Sequence, residues 1–322
     1  MLTNKHVNKI FLSFALGAFL LSSCGKPSDI SSPGDTSSDT SSEISSDTSG
    51  NISSDTSNNT ASDSSSATPS DTPSDTSTNS SSETSSVSIP DTGNYYNSIS
   101  ESATGTTLLG SLRTLNSNKR TKTVGYGNMG KYYKQTDGDP NNSNNIISFY
   151  SGNSAYFSGK FTTGNAFNRE HVWPNSRGGS AVEADIHVIR PTLTSENSSR
   201  GNSFFVEGMT SSSGGWDPGA VSWGDAKYRG IVARIVFYSV VASSSLKLVD
   251  LNNDATGNKS MGKLSDLLEW NLQYGIDETE IQRNEAIITI QGNRNPFIDH
   301  PDYACKIWGS TNSATKSICG IS

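Results

Sequence analysis

Residues 168–179, NREHVWPNSRGG, set a carboxylate directly beside an imidazole, with an arginine before them and a glycine pair beyond. Neighbouring residues on a strand point to opposite faces. Glu170 and His171 therefore do different jobs if this stretch is a strand that ends or bends just after them. Pro174 and the Gly178-Gly179 pair supply such a break. Some twenty-five residues downstream, SENSSRGN (195–202) offers an amide, Asn197. One carboxylate, one amide oxygen and several waters make a hard-oxygen site suited to Mg²⁺. The imidazole beside it stays free to accept a proton near neutral pH. That is the division of labour needed to hydrolyse a phosphodiester: a base for water, a cation for the phosphate and leaving oxygen, arginines for neighbouring phosphates.

The chain is poor in histidine, with four, of which His6 lies at the extreme N-terminus. The other three each have a carboxylate close by: Glu170 at His171, Asp185 at His187 and Asp299 at His300. Such a neighbour fixes a tautomer or shares a metal. A single pair of this kind is more often a buried structural histidine; three of them, in sequence rich in Gly, Asn and Arg, shift that balance toward a site.

Outward from this region the 322 residues divide by composition. Residues 1–24 read as an export signal: Lys5 and Lys9 before an apolar run from Ile10 to Leu21. The run is shorter than the roughly 20 apolar residues that span a bilayer. It ends in LSSCG (21–25), similar to a bacterial lipobox, so Cys24 is expected to become a lipid-bearing N-terminus; the alternative is a plain secreted protein. Residues 25–92 are Ser, Thr, Asp and Asn in loose SSDTS-type repeats, with almost nothing to bury against the entropy of ordering, and are expected to be a disordered tether. Of 31 acidic and 24 basic residues, 11 and 3 fall in 1–92, leaving 20 and 21 beyond. The overall charge of −7 thus belongs to the tether. A near-neutral remainder neither demands nor excludes nucleic acid. Residues 93–322 are long enough for one sizeable core. They hold Cys305 and Cys319, which export allows to pair and which are otherwise two free thiols.

Within this domain, TTLLGSLRTL (106–115) suggests a short helix, and TDGDPNNSNN (136–145) a loop between tyrosine-bearing elements. ADIHVIR (184–190) alternates like a half-buried strand. GIVARIVFYSVV (230–241) fits a buried helix or a strand, and periodicity alone does not separate them. KLSDLLEWNLQY (263–274) has helical spacing, and the run after Asp277 reads as a helix with an acidic first turn.

The motifs NREHVWPNS (168–176), ADIHVIRP (184–191), NSSRGN (197–202), YRGIVAR (228–234) and QGNRNPFIDHPDY (291–303) resemble, in order and spacing, the endonuclease I nucleases of the ββα-metal (His-Me finger) class. The resemblance implies an α+β fold, a mainly helical single domain around a two-stranded ribbon and a helix that hold one divalent cation. It implies His171 as general base, Glu170 and Asn197 as ligands to Mg²⁺ (Ca²⁺ or Mn²⁺ as alternatives), and cutting of DNA and also RNA to 5′-phosphate and 3′-hydroxyl ends with little sequence preference. Phosphate contacts are expected from Arg229 and then Arg177, with Arg169 open to a purely structural ion pair. Asp185 and His187 fall near the site or are structural, and the backbone near Glu183 orients the His171 ring. Arg200 and Asn202 steady the turn after Asn197. Arg294 and His300 are carried as site residues, against the plainer reading that Asn293, Arg294 and Asn295 satisfy a buried loop.

The resulting expectation is a monomeric nuclease held by the lipid on Cys24 at the outer face of the membrane. Two alternatives remain open. A zinc hydrolase would use Asp185, His187, His171 and Glu170, but no HExxH or clustered Cys is present. A catalytically silent surface module would bind nucleic acid or matrix on the same scaffold, although Glu170, His171 and Asn197 are all retained.

Overall fold

The computed structural model describes residues 88–322 apart from 163, 165, 212 and 213. The expected signal, Cys24 and most of the expected tether lie outside the described residues. The elements in chain order begin with α1 (Gly105–Lys119), α2 (Tyr133–Thr136), β1 (Gly138–Asp139), β2 (Asn142–Ile147), β3 (Ser154–Tyr156) and β4 (Phe167–His171). Then come β5 (Ile189–Leu193), α3 (Thr194–Arg200), β6 (Thr210–Ser211), β7 (Gly215–Trp216), α4 (Tyr228–Ala242), β8 (Lys247–Leu248) and β9 (Ser260–Met261). The chain closes with α5 (Leu264–Gln273), α6 (Glu278–Gln291), α7 (Pro296–Asp299), α8 (Tyr303–Trp308) and α9 (Ser313–Ile318). Small sheets among many helices make the fold α+β, as expected.

The apolar run at 230–241 is a helix. Every residue of α4 from Gly230 to Val241 is buried, so no face is left for water. It packs against α1, α5 and α7, with Phe237 stacked on Trp308 at 5.0 Å. Arg234 sits in the middle of this apolar helix with no exposed surface. Its charge is tolerated because Glu280 accepts from Nε (2.8 Å) and Nη2 (2.5 Å), and the Tyr274 carbonyl accepts from Nη1 at 3.0 Å. Glu280 also closes the capping box that starts α6, where Asp277 takes the backbone N–H of Thr279. One carboxylate thus fixes both where α6 begins and how it lies on α4.

Two expectations differ from the structure. The strand placed at 184–190 begins only at Ile189, because residues 184–188 turn to bring Asp185 and His187 into the interior. The stretch 136–145, read as a loop, is largely a hairpin: β1 and β2 pair across Asp139 and Asn142, and β3 adds to β2. Its side chains there are mostly exposed, so the alternation that marks a strand is absent.

β4 and β5 form an antiparallel pair with Glu170 opposite Arg190 and His171 opposite Ile189. The connection between them bends where the sequence places its glycines: Gly178 has φ +89°, and a Cβ on Gly179 would collide with the Trp173 carbonyl. α3 follows β5 without a spacer and packs on both strands. Asp137 anchors this layer to α6, pairing with Arg190 (3.0 Å) and Arg283 (3.1 Å). Arg283 also donates to the Ile186 carbonyl at 2.7 Å.

Cys305 and Cys319 are disulfide-bonded, with a Cα separation of 5.6 Å and a sequence separation of 14. A loop of this size is worth about 3 kcal/mol by restricting the unfolded chain. The thermal midpoint is expected to fall by about 6–12 °C when melting is followed in reductant or in the Cys305→Ser/Cys319→Ser variant. An unchanged midpoint would show that the bridge contributes nothing to the fold.

Candidate active site

In β4, Phe167 and Glu170 are buried, and Asn168, Arg169 and His171 are half-buried along the cleft. Glu170 turns inward and is 2% exposed, while Arg169 and His171, two apart, share the face toward a cleft of about 610 Å³. Asn197, from the middle of α3, lines the same cleft with Thr194. The ββα order therefore brings His171 and Asn197 to one hollow, with Glu170 directly behind.

Glu170 is held from two sides. The Tyr150 hydroxyl donates to Oε1 at 2.7 Å, and Arg200 Nε lies 3.5 Å from the same oxygen. Burial raises its pKa, with Arg200 and Tyr150 pulling the other way. Oε2 takes no hydrogen bond among the described residues, and neither does the Asn197 side chain. Arg200, itself 1% exposed, donates from Nη2 to the Val172 carbonyl (2.7 Å) and from Nη1 to the Gly201 carbonyl (3.0 Å). It ties the end of α3 to the end of β4. The first turn of α3 is tied at Glu196, which accepts from Ser148 (2.7 Å) and Ser151 (2.5 Å).

The His171 ring lies against Tyr126 at 4.8 Å, and its Nε2 is buried 3.9 Å from a Glu183 carboxylate oxygen. The contact is with the Glu183 side chain, where the sequence reading looked to its backbone. Burial holds the imidazole pKa below its ordinary value, against the pull of Glu183, so the ring is neutral at pH 7. Tyr126 also carries the Arg169 guanidinium over its ring at 4.0 Å, with Phe161 on Arg169 at 4.8 Å. Arg169 Nη1 donates to the Tyr126 carbonyl at 3.2 Å, and no carboxylate pairs with Arg169 among the described residues. Tyr126, Glu196, the side-chain role of Glu183 and the cleft position of Arg169 were not found from sequence. The i, i+2 spacing of Arg169 and His171 was the signal available for the last.

The remaining site candidates lie elsewhere. Arg177 is buried, with its nitrogens on the Asn202 and Asp254 carbonyls and the Asn253 amide oxygen, at 2.7–2.8 Å. Arg229 grips Asp217 in a bidentate pair and also reaches Tyr274 and Glu207. Neither lines the cleft. Asn202 contributes its carbonyl to Arg177. Arg294 is buried between Asp299 and Glu285, and His300 is stacked on Tyr303 at 4.6 Å. Asn293 and Asn295 bond to Asn116, Tyr238 and the Arg234 carbonyl. Asp185 and His187 belong to an interior network: Tyr238 and Gln291 each donate to Asp185 at 2.6 Å, and His187 Nε2 meets the Asn293 carbonyl at 3.2 Å. No group of three or more His, Cys, Asp or Glu gathers as a metal site among the described residues, which removes the support for a closed zinc centre.

Comparison with known proteins gives a consistent placement. The family described as Endonuclease I matches residues 104–302. The chain is 40% identical over 233 residues to a Bacillus amyloliquefaciens protein named extracellular ribonuclease, covering 68% of this chain and 79% of the relative. A protein of the same name from Bacillus subtilis (strain 168) is 40% identical over 235 residues, with the same coverage.

The buried His187 makes a testable contribution to stability. Burial pushes its pKa down to about 4, against the opposing Asp185 charge and with Arg283 and Arg120 adding to the fall. The unfolded ring titrates near 6.5. Between these values the unfolded chain binds a proton that the folded chain refuses, so stability falls as pH drops from about 6.5 to about 4. The loss attributable to this ring reaches about 3 kcal/mol. Urea midpoints compared at pH 7 and pH 4.5 should converge in His187→Gln; an undiminished pH dependence in that variant rules out the ring as its source.

Proposed function

The chain belongs to the endonuclease I family and is a nuclease, and from that premise we propose that it is a metal-dependent endonuclease whose His-Me finger is β4, β5 and α3. The observation that carries the reading is the sharing of one cleft by His171 and Asn197, with the Glu170 carboxylate behind them. The donor set fits a hard cation: a carboxylate with one oxygen unengaged, an amide oxygen, and no thiolate or second imidazole. Glu170 and Asn197 would hold Mg²⁺, with Ca²⁺ or Mn²⁺ as substitutes, which when bound supplies neutralising charge for the phosphate and the leaving 3′-oxygen.

The residues of the chain do the rest. A neutral His171 with its proton on the buried Nε2, toward Glu183, leaves Nδ1 to take a proton from the attacking water. Tyr126 keeps the ring from turning, and Arg200 and Tyr150 oppose the effect of burial on Glu170 and hold its carboxylate in place. Arg169, an unpaired guanidinium on the cleft face, is the cation best set to meet the scissile phosphate. Arg177 and Arg229, expected in that role, are occupied in holding loops. Attack by water with loss of the 3′-oxygen leaves 5′-phosphate and 3′-hydroxyl ends. The names of the relatives support RNA among the substrates, beside DNA. They also support export. We extend the proposal to a signal at 1–24, a lipid on Cys24, a tether over 25–92 and a monomeric nuclease domain over 93–322. Among the described residues no helix is long and apolar enough to cross a membrane.

His171→Ala is expected to lower turnover of plasmid DNA and of RNA by at least about 100-fold, while affinity measured in EDTA stays near that of the parent, because the base acts in the reaction step. Cutting by the parent should cease in EDTA and return with Mg²⁺. Tight binding without any cutting would support the silent binding module instead.

A further inference from the structure

A groove of about 470 Å³ lies where α1 and α4 end, lined by Arg113, Arg120 and Lys122 among small hydroxyl and amide side chains, and by no carboxylate. We infer that this groove is a second subsite for the phosphodiester backbone of the substrate, engaging phosphates beyond the one at His171. The inference rests on the nuclease reading of the cleft.

Charge is the first argument. Arg113 uses Nε on the Val240 carbonyl, and Lys122 donates to the Tyr132 hydroxyl; neither has a carboxylate partner among the described residues. Arg120 has one, Asp185, which is fully buried beneath it. Cations also gather at helix C-termini merely to offset the helix dipole, which amounts to about half a negative charge at each end. Two helix ends and Asp185 together cancel roughly two of the three cations. The surplus faces solvent on Lys122 and the free nitrogens of Arg113.

Continuity with the cleft is the second. Thr123 lines the groove and Tyr126 lines the cleft, three residues apart, so they are separated by at most about 10 Å of chain. On the other side Arg120 donates to the Ala184 carbonyl, adjacent to Glu183, which faces His171. With a phosphate every 3.4 Å or so along each strand of a duplex, a strand placed for scission has phosphates over the groove after roughly three nucleotides. No aromatic ring lines the groove, and its cations and hydroxyls suit phosphate contact over base readout.

The test is binding of a labelled single strand of about 20 nucleotides, and of a trinucleotide, to the whole chain in EDTA over a range of salt. Lys122→Gln should lower the salt slope for the long strand by about 0.7, the value for one phosphate on a single strand. Ser244→Glu sets a negative charge, like that of the phosphates, in the groove at an exposed position and removes no hydrogen bond. It should weaken the long strand several-fold. Trinucleotide binding should be the same in all three proteins. Coincident slopes and affinities for the long strand would overturn the subsite. Abolition of the differences by millimolar inorganic phosphate would reassign the groove to free phosphate. Failure of the parent chain to cut with Mg²⁺ would sink the nuclease mechanism instead, while the binding comparison would still decide the groove.

Discussion

One buried guanidinium holds the ββα unit together. Arg200 leaves the end of α3, donates to the carbonyl of Val172 just past β4, and lies beside the Glu170 carboxylate. A charge this deep is tolerated only where partners surround it. The backbone carbonyls and Glu170 are those partners, and they in turn are confined. The amide on α3 and the imidazole on β4 keep one spacing because this ion sits between their two segments. Glu196, gripped by Ser148 and Ser151, does the same at the other end of the helix.

The helical layer is built by the same rule on a larger scale. Arg234 and Glu280 meet in the centre, and Asp137 receives both Arg190 and Arg283 where the ribbon meets α6. Removing Arg234, Glu280 or Asp137 leaves its partner as an uncompensated interior charge, the costly case for such pairs. The apolar core around α4 supplies the driving force, and these pairs fix the angle at which the ribbon is presented.

Much of this was legible in the sequence. The helices α1 and α5 follow from local pattern and α6 from its acidic first turn, α4 was left between helix and strand, and the family follows from five motifs in fixed order. What failed had a physical reason in each instance. Residues 184–188 alternate like a strand, but the polar members Asp185 and His187 are satisfied inside by Tyr238, Gln291 and Asn293, partners from distant segments that no local window contains. The hairpin at 138–147 runs mostly through exposed polar residues, with Ile146 and Ile147 apolar only at its end, so the alternation that marks a strand is missing. For the arginines, composition gives the number and the fold decides which are already employed. Arg177 and Arg229 find acceptors in neighbouring loops, whereas Arg169, among the described residues, meets the faces of Tyr126 and Phe161 and the Tyr126 carbonyl but no carboxylate.

The C-terminal disulfide lies past residue 302, where the match to the family ends. The bridge closes a covalent ring over residues 305–319 that takes in α8 and α9. Asn312, inside that ring, bonds to Asp250 and clasps it to the body of the enzyme. A single backbone cut inside the ring would therefore leave both pieces joined to the folded body.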